Sequence, residues 1–443
     1  MEVIDLAKQR KKTRGQKKTN VDRFEYNLNG KSKRQQGIDR KIINAFKQSE
    51  MKKTIKTDKG NTNLKCVLRI ASWITKHCTE ELKQAKLSDP SFWKGYFIDK
   101  FFEYREKQFW NGEITADTFK KDIHAIEMFR QAANTTSAFG DKKIRIGNHD
   151  ERRNYYKERG TYTSNREITA SKVNLEQVSV VHNQLEKNYK EKQKIVLVGD
   201  SKNQKRAEIR AHNAEVAYHV NKFQSIFATR VTATLNTVAK NITFDEKTNS
   251  IFAKQEKDKN DFTRTVVERN LSQEDFDYVK NLVGNKTGGQ SIFELKDNEG
   301  KTMNPLDARK EINKLTKEAA KECGMYRKDA RFNTHSNRKA AAQAMYDQTK
   351  RYSKSKIQSM ITDYLSHQGS NAEQIRARLK KELRRVNKYR LENGLPKRSF
   401  TREELRVLYV SLLLGHSRQS VVKRNYIITD KERAKMEKEA RHA

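Results

Sequence analysis

The amino-acid sequence predicts a mainly α-helical protein with one small antiparallel β-sheet, an α+β arrangement. Only three prolines occur in 443 residues, and Lys, Glu, Ala and Leu, which favour helices, are abundant. Apolar residues recur at helical spacing in several segments, whereas residues 242–266 contain a series of strand-like runs separated by Asp, Asn and Lys. With 35% hydrophobic residues the chain can form cores, and its length suggests two or three domains.

The charge balance predicts a polyanionic partner. Lys and Arg number 94 against 56 Asp and Glu, which gives a formal net charge of +38. Such a charge favours a phosphate backbone, because binding releases condensed counterions. An acidic membrane surface also attracts cations, but no apolar run approaches a spanning helix and no signal peptide opens the chain. We therefore expect a cytoplasmic protein that binds nucleic acid.

The cysteines favour neither a disulfide framework nor a zinc site. Only Cys66, Cys78 and Cys323 occur, and their number is odd and their spacing scattered. We expect three reduced thiols and no metal.

The N-terminal third divides into an arm, a small helical domain and a linker. Residues 1–58 are basic, and this arm either lies on DNA through Lys11, Lys12 and Arg14 or simply keeps the chain in solution. Residues 59–138 carry apolar and aromatic side chains at helical spacing, which indicates a helical core whose last helix starts at Thr115 or Asp117. The polar, basic residues 139–175 indicate an interdomain linker.

A larger domain is expected over residues 176–430, followed by a charged tail over residues 431–443. The apolar run at residues 195–198 predicts a core strand, because the phosphate-loop pattern is absent. The strand-like runs of residues 242–266 predict two connected hairpins. A helix over residues 371–393 has one apolar face. Its other face, which either contacts phosphates or is solvated, carries Arg376, Lys380 and Arg384.

The C-terminal half contains the groups needed to break a phosphodiester without a metal. That reaction requires a nucleophile, cations for the nonbridging oxygens and an acid for the leaving oxygen. The segment LLLGHSRQSVVKRNYI puts His416 after a tight Leu-Gly turn, and Tyr426 follows about three helical turns later. The segment THSNRKAAAQAMY puts His335 and Arg338 one helical turn apart, hence on one face.

These motifs resemble the tyrosine recombinase (lambda-type integrase) family, which has an H-x-x-R motif, then L-G-H, then a nucleophilic tyrosine about ten residues later. The residues that match by position are His335, Arg338, His416 and Tyr426. The segment SIFATRVTATLNTVAKNITFD resembles the box of the first family arginine, with Arg230 in place. The family lysine lies in the hairpin that follows, where QEKDKNDFTRTV offers Lys257, with Lys259 close behind. A helical core-binding domain ahead of the catalytic domain also resembles the family.

Three features depart from the family pattern. Ala233 stands where many members have Glu, and Lys339 stands where many have His. The segment between Arg338 and the L-G-H turn is also much longer than in compact members, which predicts an inserted helical unit at about residues 348–400.

A rival histidine lies inside that predicted insertion. The segment ITDYLSHQGS around His367 resembles a second L-x-H turn, but Tyr389 is too far along the chain to be its nucleophile. His416 is therefore the preferred histidine.

The resemblance implies a mechanism. Tyr426 attacks the scissile phosphate, giving a 3′-phosphotyrosine and a free 5′-hydroxyl, with no ATP, metal or other cofactor. The implied roles are phosphate clamping by Arg230 and Arg338, protonation of the leaving oxygen by Lys257, proton transfer by His335 and a phosphate hydrogen bond from His416. Complete recombination implies a homo-tetramer on two double-stranded DNA sites, and leaves room for an accessory DNA-bending protein.

The resemblance leaves the biological reaction open. Integration or excision of a mobile element is the first reading. A hairpin telomere resolvase or a tyrosine transposase would use the same residues, and a non-enzymatic DNA-binding or replication-initiator protein would use the charge alone.

Overall fold

Helices dominate the chain, and one small antiparallel sheet accompanies them, so the predicted fold class is confirmed. The computed structural model describes residues 30–52, 57–82, 93, 95–141, 143–162, 175–198, 201–258, 262–269, 271–326 and 332–442. The chain divides into two compact units, Met1–Glu167 and Ile168–Ala443.

The first unit is helical and has an aromatic core. It contains α1 (Lys33–Met51), α2 (Thr57–His77), α3 (Gly95–Trp110), α4 (Ala116–Asn134) and α5 (His149–Glu158). Buried Trp93 packs edge-on against Phe129, with ring centres 4.6 Å apart. As predicted, α4 begins after Thr115, whose hydroxyl accepts a hydrogen bond from the backbone N–H of Thr118 at 3.3 Å.

The core of this unit extends beyond both predicted boundaries. Helix α1 lies inside the predicted arm of residues 1–58, yet Ile38, Ile42 and Phe46 are buried in the core. These residues are spaced four apart and form an apolar stripe along one face of the helix. The composition of this segment is dominated by charged residues, so it does not reveal the stripe. The predicted linker likewise contains α5, whose Tyr156 packs 4.9 Å from Phe119. Lys11, Lys12 and Arg14 lie outside the described residues.

The second unit contains the sheet and most of the helices. In chain order these are α6 (Leu175–Val198), α7 (Ser201–Phe227), α8 (Val231–Leu235), β1 (Ile242–Asp245), β2 (Ser250–Asp258), β3 (Phe262–Glu268), α9 (Gln273–Val283), α10 (Pro305–Glu322), α11 (Thr334–Gln348), α12 (Lys354–Ser366), α13 (Ala372–Glu392), α14 (Arg402–Leu413), α15 (Gln419–Asn425) and α16 (Asp430–His442). The apolar run at residues 195–198 ends α6, so its prediction as a strand is wrong. A four-residue apolar run has no period that separates strand from helix.

The three strands form an antiparallel meander in the order β1-β2-β3, as the predicted hairpins require. Ile242 of β1 pairs with Ala253 of β2, and Ala253 pairs with Val266 of β3. Because side chains alternate between faces, Arg264 lies on the same face as buried Val266. This register therefore buries the Arg264 side chain in the interior of the second unit.

Two helices, α12 and α13, lie within the predicted insertion, and α13 agrees closely with the helix expected over residues 371–393. The predicted charged tail is α16. Its first residue, Asp430, accepts a hydrogen bond from buried Arg406 at 2.6 Å, and Arg433 pairs with Asp347 at 2.8 Å. These ion pairs hold the start of α16 on the second unit.

Candidate active site

The C-terminal end of α14 is fixed by side chains from three other elements. The last carbonyls of a helix have no partner within it and need donors from outside. The donors here are Tyr364 Oη to the Leu412 carbonyl at 3.1 Å, Arg264 Nη1 to that of Leu413, and Arg338 Nη2 to that of Leu414. Two of the three are guanidinium groups, which suit the negative end of a helix.

The Leu-Gly-His turn follows directly. Gly415 has φ of 65°, a left-handed conformation that a residue with a Cβ adopts only with strain. The backbone N–H of His416 donates to the Ser411 carbonyl at 2.7 Å, which closes the turn. The glycine therefore reverses the chain at the end of α14 and leaves the His416 side chain half-buried beside it.

Arg338 is the most deeply buried of the predicted site residues whose side chains the structure describes. It lies on α11, whose start is fixed by a capping box between Asn333 and Ser336. Its Nη1 donates to the carbonyl of Ala228, just after α7, and its Nη2 to the carbonyl of Leu414. Ala228 has φ of 47°, a conformation unusual for alanine. The guanidinium thus joins the end of α7 to the end of α14.

A buried polar network holds α11 in place beside Arg338. Asn337 Nδ2 donates to Asn221 Oδ1 at 2.7 Å, and Asn221 Nδ2 donates to Thr316 Oγ1 at 2.9 Å. His182 Nε2 lies 3.3 Å from Asn337 Oδ1. Burial lowers the pKa of His182 to about 4, so it is neutral at pH 7. The network connects α6, α7, α10 and α11.

Tyr426 lies at the end of the short helix α15. Its backbone N–H donates to the Val422 carbonyl at 2.9 Å, and its side chain is only 5% exposed. The ring packs in an apolar cluster that includes Ala341 and Leu414. Cζ of Arg338 lies 5.4 Å from the ring centre. The predicted nucleophile and the second predicted arginine are therefore neighbours.

The other motif residues surround the same tyrosine. The ring centres of His335 and His416 lie 5.3 and 5.6 Å from that of Tyr426. Arg230, at the N-terminus of α8, directs Nη2 toward His416 Nε2 at 3.4 Å. The fold thus gathers four predicted residues from three chain segments around Tyr426.

The cations of this cluster affect its titration. Burial of part of the ring, together with Arg338, Lys339 and Arg230, lowers the pKa of His335 to about 4. His335 is therefore neutral at pH 7. Burial also lowers the pKa of Arg338, but a guanidinium starts so far above neutrality that it keeps its charge.

For the predicted lysine, Lys257, the structure describes the backbone alone. Lys257 lies on β2, one residue before that strand ends, and its side chain is outside the described part of the structure. Lys259 belongs to the residues that are not described. The choice between them stays a prediction from the sequence.

The rival histidine has a different environment. His367 Nδ1 lies 2.8 Å from the Asp363 carbonyl, and its ring centre is 5.0 Å from that of Phe252 on β2. It packs on the sheet and not against Tyr426. Tyr389 is 68% exposed on α13.

The positions that depart from the family pattern have clear surroundings. Ala233 is buried in α8, and its carbonyl accepts a hydrogen bond from Thr237 Oγ1 at 3.1 Å. Lys339 follows Arg338 on α11 and is one of the cations that act on His335. The cluster around Tyr426 is assembled with both substitutions present.

Sequence reasoning missed the donors that fix α14. Arg264 is fully buried on β3, and Tyr364 lies on α12 in the predicted insertion. The alternation of side chains along β3 offered one signal, because Arg264 is two residues from Val266 and therefore lies on the same, inward face. Nothing in the sequence indicated that the partner of Arg264 would be the carbonyl of Leu413, which lies far along the chain.

Within the described ranges, no three His, Cys, Asp or Glu side chains cluster in a way that could hold a metal ion. No helix in the described part is both long and apolar enough to cross a membrane.

No protein-family model matches the chain, and no curated protein matches it. Solved structures do. The XerH site-specific recombinase bound to difH substrate, in a pre-cleavage complex, is 13% identical over 76% of this chain and 86% of that chain, with a TM-score of 0.41. The Tn1549 transposon integrase in complex with circular intermediate DNA is 10% identical over 89% and 98%, with a TM-score of 0.41. The XerA recombinase is 10% identical over 91% and 98%, with a TM-score of 0.31.

Proposed function

We propose that this chain is a site-specific DNA recombinase of the tyrosine recombinase family, which cuts and rejoins strands through a covalent link to Tyr426. The main support is that the motif residues lie together around Tyr426. His335 and His416 lie within 5.6 Å of the Tyr426 ring, centre to centre, and the Arg338 guanidinium lies 5.4 Å from it. A tyrosine between two imidazoles and two guanidiniums suits attack on a phosphodiester.

The nucleophilic step needs a proton acceptor near the tyrosine. His335 fits, because its ring centre lies 5.3 Å from that of Tyr426 and its imidazole is neutral at pH 7. The Tyr426 oxygen forms a bond to phosphorus as its proton passes to His335, and the bond between phosphorus and the 5′ oxygen breaks. The product is a 3′-phosphotyrosine with a free 5′-hydroxyl, so the bond energy is kept for rejoining.

The arginines stabilise the negative charge of the phosphate. Arg338 uses one N–H of each terminal nitrogen on a backbone carbonyl, which leaves further N–H groups for nonbridging oxygens. Arg230 is less buried and adjoins His416. We assign clamping to both arginines and a phosphate hydrogen bond to His416.

The leaving 5′ oxygen requires a proton. Lys257 is our candidate donor, since the family lysine lies in the hairpin that follows the first arginine, and Lys257 lies in the hairpin of β2 and β3. Lys259 is the alternative. A rate measured with a 5′-bridging phosphorothiolate, which leaves without a proton, would identify the correct lysine by rescue.

The DNA partner follows from charge and exposure. The net charge of +38 favours a phosphate backbone. Helix α13 exposes Arg376, Lys380 and Arg384, and the latter two line an open groove along its C-terminal half. We propose that this face binds double-stranded DNA, with Lys11, Lys12 and Arg14 as further contacts. The protein would then act in the cytoplasm, at the nucleoid.

Complete recombination would need more than one chain. Two duplexes exchange four strands, and one tyrosine per chain cuts one strand, so we propose a homo-tetramer on two recombination sites. Integration or excision of a mobile element, with or without an accessory DNA-bending protein, is the biological reaction that we propose.

A covalent-capture experiment tests the activity without knowledge of the DNA site. The purified full chain is incubated with a pool of duplexes that carry a randomised segment and a nick just 3′ of each candidate phosphate. The short fragment beyond the nick diffuses away after cleavage and traps the adduct. Complexes that survive detergent are sequenced, and mass spectrometry identifies the amino acid that carries the nucleotide.

We expect a nucleotide 3′-phosphate on Tyr426 and a common sequence among the captured duplexes. Binding without any adduct would contradict the proposal and indicate a non-enzymatic DNA-binding or replication-initiator protein. An adduct on another tyrosine would overturn the site. With intact duplexes of the selected sequence, hairpin ends would indicate a telomere resolvase, and exchanged strands a recombinase.

A further inference from the structure

The helix that leads to Tyr426 begins without a cap of its own. Helix α15 has Arg418 at its N-cap position, and that side chain makes no capping hydrogen bond within the described residues. The backbone N–H of the next residue, Gln419, donates instead to Oε1 of Glu382 at 3.1 Å. Glu382 lies in the middle of α13, within the predicted insertion. The cap therefore comes from another helix.

Glu382 is an unusual residue for its position. Helix α13 is strongly charged and buries only Ala372, Ile375 and Glu382. The Glu382 residue is 4% exposed, whereas the side chain of its ion-pair partner Arg385 is 53% exposed. Burial of a carboxylate is costly unless hydrogen bonds replace its water. The Gln419 N–H and Arg385 Nη2, at 2.8 Å, both donate to Oε1.

The contact lies two turns upstream of Tyr426. Helix α15 has seven residues, and a helix this short is not stable alone. At its far end, the backbone N–H of Tyr426 donates a hydrogen bond to the Val422 carbonyl. The contact at Gln419 therefore sets where the helix begins and, through so short a helix, where the tyrosine lies.

We propose that Glu382 is a positioning residue for the nucleophile: its carboxylate fixes the start of α15 and thereby holds Tyr426 beside Arg338. This inference rests on the proposed function of Tyr426. It gives the inserted helix α13 a role in the cleavage step, in addition to the proposed DNA contacts on its exposed face.

Three variants separate the cap from the ion pair. Glu382→Gln keeps an oxygen for the Gln419 N–H but loses the charge, and Glu382→Met loses the oxygen at similar size. Arg385→Met is the matched control, because it removes the ion pair and leaves the cap. We expect Glu382→Met to slow adduct formation at saturating protein by about ten-fold or more, and the other two variants to stay within about three-fold of wild type.

A second pair of variants changes the donor. Arg418 has φ of −132° and ψ of 124°, which suits a residue before proline, and Gln419 is the first helical position, where proline is tolerated. Gln419→Pro removes the N–H and keeps the helix, whereas Gln419→Ala removes only the side chain. Gln419→Pro should slow adduct formation by about as much as Glu382→Met does. The double variant should be little slower than either single one, because both delete the same bond.

For each variant, the rate of adduct formation is measured on the captured duplex. The DNA dissociation constant and the thermal unfolding midpoint are measured as well. We expect the slow variants to bind DNA as wild type does, and the rate to fall at temperatures where they are fully folded. Wild-type rates in both Glu382→Met and Gln419→Pro would overturn the inference, as would equal loss in Glu382→Gln. If Glu382→Met does not fold, Gln419→Pro against Gln419→Ala decides. If the wild type itself forms no adduct, the proposed function fails instead.

Discussion

Arg338 lies over the ring of Tyr426, with Cζ 5.4 Å from the ring centre, while its own terminal nitrogens donate to the carbonyls of Ala228 and Leu414. The same guanidinium therefore fixes the backbone around the tyrosine and supplies charge next to it. A substitution at this position must change both the stability of the second unit and the proposed reaction. The predictions below separate these effects.

Tyr426→Phe should abolish the covalent DNA adduct and leave the fold unchanged. The phenyl ring keeps the packing against Leu414, and only the hydroxyl is lost, so the free energy of unfolding should change by less than about 1 kcal/mol. Adduct capture and urea unfolding measure the two effects. Tyr389→Phe, at an exposed tyrosine, is the control and should retain the adduct. An adduct in the Tyr426 variant would refute the nucleophile.

Arg338→Lys should lose both the adduct and stability, whereas Arg230→Lys should lose mainly the adduct. A lysine ammonium cannot reproduce the two terminal nitrogens that donate to these two carbonyls, so one carbonyl is left without a donor, at a cost of about 2–4 kcal/mol. Arg230 is only partly buried, which lowers the structural cost. Urea unfolding and adduct capture on both variants give the comparison. Arg338→Lys with wild-type stability would show that the two carbonyl contacts contribute nothing.

His416→Ala should slow adduct formation, and His367→Ala should not. The His416 ring lies 5.6 Å from that of Tyr426, centre to centre, whereas His367 packs on Phe252 of the sheet. The expected loss for His416→Ala is about 100-fold, the usual size for one phosphate-binding donor. Single-turnover rates at saturating protein measure it. The reverse order of rates would move the active site into the predicted insertion.

Glu268→Gln should stabilise the protein at alkaline pH. Burial raises the pKa of this carboxyl to about 8, against the opposing effect of Arg264, and its Oε1 has no hydrogen-bond partner among the described residues. Between pH 4.5, the ordinary pKa of this carboxyl, and about pH 8, the folded state holds a proton that the unfolded state has lost. Wild-type stability therefore falls as pH rises through this range.

The check is the difference in unfolding free energy between Glu268→Gln and wild type, from urea unfolding at pH 5 and at pH 9. The difference should shift in favour of the variant at pH 9, since glutamine cannot ionise. A difference that is the same at both pH values would mean that Glu268 titrates normally in the folded protein.

Lys380→Gln with Arg384→Gln should weaken DNA binding and make it less dependent on salt. Each lost phosphate contact lowers the slope of log affinity against log salt by about 0.9 on duplex DNA. Salt titrations of variant and wild type on one duplex measure the slope. Lys301→Gln with Lys310→Gln, at two exposed lysines far from α13 in sequence, removes the same two charges and is the control for net charge. Equal slopes would remove α13 from the DNA-binding surface.

The sequence alone was sufficient for features that depend on local spacing. The start of α4 after Thr115, the hairpins of β1, β2 and β3, and the helix near residues 371–393 follow from caps, alternation and helical periodicity. His335 and Arg338 share a helix face because three residues make about one turn. The same local reasoning was wrong at residues 195–198, and it assigned α1 to an arm because charge outweighed a thin apolar stripe.

Only the tertiary structure decided which distant residues meet. The carbonyls of Leu413 and Leu414 take their donors from β3 and α11, and the N–H of Gln419 takes its acceptor from Glu382. Buried polar groups must find partners, but a sequence does not say which segment supplies them, because the contact depends on how helices pack. The motif residues around Tyr426 could be named from their spacing, whereas the residues that hold them in place became visible only in the folded chain.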